Sequence, residues 1–148
     1  MKLIVCVDEN NGMLFNNRRQ SRDRKLIQHI VNLVKNKRLW INSYSENLFK
    51  FKTKYILFED IPNEIEKEEY CFVENISPKL FEEKTNELII YNWNRIYQAD
   101  MYFDICLDNW ILKSENEFEG FSHEKITQQI YTRGTTNEKE SKENIQKK

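Results

Sequence analysis

Five basic side chains crowd the stretch RRQSRDRK, where Arg18, Arg19 and Arg22 precede Asp23. The stretch lies where a loop runs into a predicted helix. The N–H groups of a helix N-terminus, with guanidinium groups beside them, suit a phosphate or carboxylate. Arg18, Arg19 and Arg22 are therefore candidates for binding an anionic ligand. The alternative is a solvated helix start whose charge is balanced by nearby acids, namely Asp8, Glu9 and Asp23.

The other residues that commonly perform chemistry are few and scattered. The two histidines are His29 and His123, and the three cysteines are Cys6, Cys71 and Cys106. Their spacing matches no zinc motif, so no metal site is predicted. The sequence also lacks a Ser/His/Asp pattern with a nucleophile elbow. Each cysteine lies in an apolar run, which predicts three buried thiols in strands.

The elements that would position these residues begin with a strand. Residues 2–8 are apolar at nearly every position, which predicts a central strand buried on both faces. An Asn-Gly turn signal follows and predicts a flexible loop. Ser21 is predicted to cap a helix that runs to about Asn36, because apolar residues recur there at helical spacing. Residues 39–42 read as a second buried strand.

The rest of the chain predicts further strands and a closing hairpin. The strands are predicted at residues 54–60, 69–75 and 87–97, the last being the longest, and the hairpin at residues 110–120 and 124–133. Strand–helix–strand units imply parallel pairing, and the hairpin adds antiparallel strands. We expect an α/β fold with a mixed, mostly parallel sheet. Residues 1–133 would form one domain, and the charged residues 134–148 a disordered tail.

Composition limits the classes of function. The 148 residues suit one domain. The formal net charge of −1 gives no global field, which argues against nucleic acid as a partner. No apolar run approaches the length of a membrane span, and no leader pattern opens the sequence, so a cytoplasmic location is expected. Three glycines leave no Gly-rich loop for phosphate.

The order of elements resembles the dihydrofolate reductase family. MKLIVCVDENNGMLFNN is similar to that family's first strand and mobile substrate loop, and RLWINSYSENLF to its second strand and following helix. NRIYQADMYFDI and the closing hairpin continue the similarity to about residue 133. The resemblance implies a three-layer α/β/α fold. It also implies an NADPH-dependent reductase that acts on a pterin-like small molecule.

The resemblance also assigns site residues. Asp23 would be the catalytic acid, either as proton donor or as pterin anchor. The alternative is a solvated acid in the first helical turn that complements the helix dipole. The residues that would bind substrate are Val5, Ile30 and Lys52, and those that would bind the NADPH cofactor are Ser43, Ser45 and Asn75. Lys52 stands where the family often has a basic residue for the glutamate tail of folate.

Several departures from the family pattern affect the cofactor side. The family's Gly-Arg-x-Thr is replaced by residues 42–45, Asn-Ser-Tyr-Ser, and its Gly-Gly pair by Glu74 and Asn75. Glycine permits close approach because it has no Cβ, and a carboxylate repels a pyrophosphate. The standard NADPH site is therefore expected to be lost.

Two hypotheses remain at this point. The chain is either a divergent NADPH-dependent reductase or a non-catalytic module that binds an anionic ligand or a protein partner. A deep cleft with Asp23 buried at its base would favour the reductase. A cleft filled by side chains would favour the binding module.

Overall fold

The computed structural model describes residues 1–134. The predicted disordered tail lies outside the described residues except for Gly134. The strands, in chain order, are β1 (Lys2–Val7), β2 (Gly12–Phe15), β3 (Arg18–Arg19), β4 (Leu39–Ile41), β5 (Ile56–Leu57), β6 (Tyr70–Phe72), β7 (Glu87–Asn92), β8 (Met101–Tyr102), β9 (Trp110–Phe118) and β10 (Ile126–Arg133). The α-helices are α1 (Arg24–Leu33) and α2 (Glu46–Phe49), and the 3₁₀ helices are Ser43–Ser45, Pro78–Lys84 and Leu107–Asn109.

The main sheet has seven strands in the order β5-β4-β6-β1-β7-β10-β9. Strands β5, β4, β6, β1 and β7 run parallel to one another, whereas β10 runs antiparallel to both β7 and β9. Strand β1 lies at the centre, where Leu3, Ile4 and Val5 are fully buried. The structure confirms the mixed sheet, its central first strand and the closing hairpin.

Each face of the main sheet has its own core. Helices α1 and α2 pack on one face through Leu26, Ile30 and Phe49. The 3₁₀ helix Pro78–Lys84 covers the other face and buries Phe81. The sheet therefore lies between two helical layers, as predicted for the fold class.

The segment predicted as a flexible loop is a strand in the structure. Strand β2 pairs with β3 on one side and β8 on the other, which makes a second, three-stranded sheet. The buried carboxylate of Asp8 holds this sheet against the main one. It accepts from the N–H groups of Asn10, Gly12 and Tyr97 at 2.9, 2.7 and 3.1 Å and from the Gln20 amide at 3.0 Å. The prediction of a loop was wrong because strands of four residues and two residues are too short to show a clear periodicity.

Three other predictions also need correction. Ser21 does not cap the helix: α1 begins at Arg24, and Asp23 is its N-cap. Strand β7 is shorter than predicted, because the Asn92 side chain accepts from the N–H of Asn94, which has a left-handed φ of 58° and turns the chain. Cys106 is exposed beside a 3₁₀ helix rather than buried in a strand.

Candidate functional site

Asp23 is buried, with 2% of its surface exposed, at the start of α1. Its Oδ1 accepts hydrogen bonds from three backbone N–H groups, those of Lys25, Leu26 and Phe121, at 2.9, 3.3 and 2.9 Å. Its Oδ2 accepts from the N–H and the hydroxyl of Ser122 at 2.9 and 3.2 Å, and faces Nδ1 of His123 at 2.9 Å. A carboxylate offers about four lone-pair positions. The six contacts therefore leave no position free for a ligand.

These contacts also fix the charge of Asp23. Burial by itself would raise the pKa of this carboxyl. Hydrogen bonds from Phe121, His123 and Ser122 outweigh the burial and hold the pKa well below its usual range. The side chain is therefore an anion at neutral pH.

His123 joins Asp23 to two hydroxyl groups. Its imidazole is buried and stacks on Trp93, with the ring centroids 4.6 Å apart. Nε2 lies 3.0 Å from Ser21 Oγ and 3.0 Å from the hydroxyl of Tyr97. Because the Asp23 carboxylate only accepts, this network assigns the imidazole hydrogen to Nδ1 and makes Nε2 the acceptor. The structure thus assembles a Ser/His/Asp group that sequence motifs did not reveal.

A second buried network lies beside the first. The guanidinium of Arg19 donates to Glu74 in a bidentate pair, with Nε 2.9 Å from Oε1 and Nη2 3.0 Å from Oε2. Arg19 also donates to the carbonyl of Tyr44 at 3.2 Å, and the buried hydroxyl of Ser45 donates to Glu74 at 2.7 Å. Fork-shaped pairs of this kind are the strong and geometrically specific ones. The pair joins β3 to the end of β6.

The two networks border the cleft that the sequence analysis anticipated. The cavity between them holds only about 20 Å³, about the space of one water molecule. Arg19, Gln20 and Met13 line it on one side and Trp93 on another. Side chains of the chain itself therefore occupy most of the cleft.

The predicted cofactor residues lie together at the ends of β4 and β6. Ser43 opens the 3₁₀ helix Ser43–Ser45. The Asn42 amide donates to the Asn75 side chain at 2.8 Å, and Ser45 is bonded to Glu74. Ser45 and Asn75 are thus paired with neighbouring residues of the chain, and cofactor binding by these positions stays a prediction.

The predicted substrate residues do not meet. Val5 is buried in the core on one face of the sheet, and Ile30 is buried in the core on the other face. Lys52 is exposed on a different surface. No common pocket is lined by all three among residues 1–134.

The arginines of the predicted anion site are also dispersed. Arg19 points inward to Glu74, whereas Arg18 is exposed on β3. Arg22 is exposed and donates to the carbonyl of Asn47 at 3.4 Å. These side chains do not converge on one point, and anion binding by them stays a prediction.

A different surface collects basic residues. An open groove of about 830 Å³ lies between the end of α1 and the segment before β5. We call it the basic groove; its basic side chains are Lys35, Lys37, Arg38, Lys52 and Lys54. Arg38 pairs with Glu69 at 3.3 Å, whereas the four lysines have no carboxylate within ion-pair distance in the described part of the chain.

Comparison with known proteins establishes the fold. No family model and no curated protein sequence matches the chain. A solved dihydrofolate reductase from Enterococcus faecalis, in complex with NADP(H) and RAB-propyl, has a TM-score of 0.66 to this structure. The match covers 90% of this chain and 96% of that chain. The fold is that of dihydrofolate reductase. At 9% identity, the likeness extends to the fold alone.

The structure also bears on metal ligands and on membrane-spanning helices in the described residues. Residues 1–134 contain no group of three or more His, Cys, Asp or Glu side chains placed to hold a metal ion. None of the helices within that range has the length and apolar character needed to cross a membrane.

The residues that sequence reasoning missed share one property. His123 lies 100 residues from Asp23, and Glu74 lies 55 residues from Arg19. No local pattern joins partners so far apart. Arg19 falls in a segment predicted as a loop, so no sequence signal paired it with Glu74.

Proposed function

We propose that this chain keeps the dihydrofolate reductase fold without the reductase chemistry, and that it binds an anionic ligand through the basic groove. The loss of reductase chemistry is supported by Asp23, whose carboxylate has all of its hydrogen-bonding positions occupied by the protein. A pterin anchor must accept hydrogen bonds from the ligand, and a proton donor must carry a proton. With six protein contacts and a lowered pKa, Asp23 is suited to neither task.

The nucleotide side supports the same proposal. A pyrophosphate needs N–H donors and close backbone approach. At that place Glu74 contributes a carboxylate and a Cβ, and the hydrogen bond between Asn42 and Asn75 bridges the two strand ends. Arg19, the cation nearest to this position, is engaged by Glu74. The residues present do not fit NADPH.

Charge distribution supports the second part. Residues 24–58 contain eight basic side chains and one acid, a formal charge of +7, which leaves −8 for the rest of the chain. The near-neutral net charge therefore conceals a strong asymmetry. The argument against nucleic acid as a partner was based on the net charge and does not apply to this surface. A concave surface of one sign concentrates oppositely charged ligands.

Phe51 indicates which anion the groove would bind. It lies beside the groove, is 96% exposed, and is flanked by Lys50 and Lys52. A basic groove that tracks a phosphate backbone, with an aromatic ring on which bases stack, is typical of proteins that bind single-stranded nucleic acid. We therefore expect an extended single-stranded ligand.

The first experiment separates the two hypotheses with one protein. NADPH is titrated while thermal unfolding and tryptophan fluorescence are followed. A ligand of the folded state would raise stability by about 2.7 kcal/mol at about a hundred times its Kd. We expect no shift at millimolar NADPH. A saturable shift of the unfolding temperature would favour the NADPH-dependent reductase over the binding module.

The second experiment measures the proposed binding. A labelled oligothymidylate is titrated with protein by fluorescence anisotropy, and unlabelled polyglutamate is added as competitor. We expect saturable binding that weakens with salt and that polyglutamate displaces poorly. Equal displacement by polyglutamate would indicate an acidic peptide as ligand, and no binding at low salt would reject the role of the groove.

A further inference from the structure

We propose that Ser21, His123 and Asp23 form a nucleophile, base and acid triad that cleaves an ester of a short carboxylic acid. The proposal goes beyond anion binding and does not depend on it, because the basic groove involves none of these residues. It begins from connectivity: Ser21 Oγ lies 3.0 Å from His123 Nε2, and His123 Nδ1 lies 2.9 Å from Asp23 Oδ2. This is the order of contacts by which a serine is activated.

The base is held for this task. The carboxylate of Asp23 fixes the hydrogen on Nδ1, so that the lone pair on Nε2 faces the hydroxyls of Ser21 and Tyr97. Stacking on Trp93 restricts the ring, and only 1% of the His123 side chain is exposed. The backbone N–H groups of Phe121 and Ser122 hold the carboxylate in turn. Each member of the group is therefore oriented by the next.

Two groups could donate to the negative charge that would develop on the substrate oxygen. The backbone N–H of Arg22, the residue after the nucleophile, donates to no group within residues 1–134. The N–H that follows a nucleophilic serine is a recurrent oxyanion donor, especially where a helix begins just beyond it, as α1 does here. The hydroxyl of Tyr97 is the second: it shares Nε2 with Ser21 in the free protein, and it can donate elsewhere once Nε2 takes the serine proton.

The proposed steps balance without a metal or a redox partner. Ser21 Oγ attacks the acyl carbon while its proton passes to His123 Nε2. The carbon–oxygen bond to the leaving alcohol then breaks, and the imidazolium returns the proton to that alcohol. Water attacks the acyl-serine, with Nε2 taking its proton and passing it to Ser21 Oγ. The products are one carboxylic acid and one alcohol.

The surroundings of Ser21 limit the substrate. The cavity that Ser21 lines has about 20 Å³, about the space of one water molecule, so only the smallest acyl groups can enter it, with part of the group outside. An open depression of about 780 Å³ shares Arg19 and Gln20 with that cavity and is lined by Tyr97 and Arg18. The depression accepts a larger leaving group, and Arg18 favours one that is anionic.

The test uses a fluorophosphonate probe, which reacts covalently with activated serines. The full chain is treated with the probe, and the adduct is located by intact mass and peptide mapping. We expect one adduct, on Ser21, that is absent in Ser21→Ala. In His123→Gln the labelling rate should fall by roughly 100-fold or more, the usual contribution of a general base. The control is Ser114→Ala, which removes another half-buried serine and should label like the wild type.

A structural role for the same hydrogen bonds would give a different result. If the network serves only to join α1 to the last hairpin, folded wild-type protein will show no adduct on Ser21, or His123→Gln will label at the wild-type rate. Hydrolysis of p-nitrophenyl acetate provides a second measurement, because Ser21→Ala removes one half-buried hydroxyl and should remain folded. Unchanged turnover in that variant would reject the proposal. None of these results bears on binding at the basic groove, which the oligothymidylate titration tests separately.

Discussion

The imidazole Nδ1 of His123 lies 2.9 Å from Oδ2 of Asp23, although the two residues are 100 positions apart in the chain. The contact joins the start of α1 to the turn between β9 and β10, the final hairpin of the main sheet. Asp23 also caps α1, so one carboxylate fixes both a helix and a hairpin turn. The acceptor capacity of Asp23 is thus used within the protein.

The first prediction concerns acid stability. Because the hydrogen bonds lower the folded-state pKa of Asp23, its contribution to stability is complete above the unfolded value of about 3.9. The contribution is lost as pH falls below that value towards the folded pKa. Urea unfolding from neutral pH to about pH 3 should therefore show a falling free energy of unfolding in the wild type.

The variant Asp23→Asn tests this assignment. We expect it to lose about 1.5–3 kcal/mol at neutral pH, because hydrogen bonds to a charged acceptor are lost, and to depend less on pH in the acid range. The exposed carboxylate of Asp108 offers a control, since Asp108→Asn should keep both wild-type properties. Parallel pH profiles for Asp23→Asn and the wild type would contradict the prediction.

The second prediction concerns the pair that fills the cleft. Arg19→Gln should destabilise the protein by about 1.5–3 kcal/mol, because it leaves the Glu74 carboxylate, which is 9% exposed, without its charged donor. Glu74→Gln should cost a similar amount. The double variant should cost less than the sum, since neither charge is then left without a partner. Chemical unfolding of all four proteins gives the coupling energy, and additive losses would show that the pair is not coupled.

Much of the fold could be predicted from sequence because its elements carry local patterns. Strand β1 is a continuous apolar run, α1 has apolar residues at helical spacing, and the last hairpin alternates. The three-stranded sheet could not be predicted, because β3 and β8 have two residues each and periodicity needs more. The predicted bounds of an element were wrong where a single side chain determines its end. Asp23 does so at the start of α1, and Asn92 does so at the end of β7.

The candidate site was harder to predict, for a physical reason. Its members are brought together by sheet topology rather than by spacing. Asp23 was identified as a candidate site residue, but the partners that determine its protonation come from the far end of the chain. Glu74 was expected to repel a phosphate, whereas its pairing with Arg19 depends on the position of β3, a strand that sequence did not indicate. Long-range pairing of this kind leaves no trace in a local pattern.

The third prediction concerns the basic groove. The double variant Lys52→Glu/Lys54→Glu should weaken oligothymidylate binding by roughly tenfold or more and reduce its salt dependence, because each lost phosphate contact removes about 0.7 from the slope of log affinity against log salt. Lys113→Glu is the matched control for one charge, since Lys113 is exposed on β9, at the opposite edge of the main sheet. A loss in Lys113→Glu in proportion to its smaller change of charge would indicate a general charge effect without a site.

The last prediction concerns Phe51, which is unfavourable in the free protein in two ways. It is a large apolar side chain that is 96% exposed, and its φ of 65° lies in the left-handed region. The other non-glycine residues with positive φ in the described range are all asparagines, which tolerate that region. Phe51 follows the C-cap of α2, where glycine is the favoured residue. A residue retained under such strain is more readily explained by binding than by folding.

Phe51→Gly should therefore separate stability from function. Relief of the backbone strain should leave the free energy of unfolding unchanged or raise it by up to about 1 kcal/mol. Loss of the ring should weaken oligothymidylate binding by about 1–3 kcal/mol, the range for one stacked base. Phe51→Ala should weaken binding equally without the gain in stability, and Ile96→Ala, which truncates an exposed apolar side chain elsewhere, should do neither. If Phe51→Gly bound as tightly as the wild type, base stacking on this ring would be ruled out and the groove would act through charge alone.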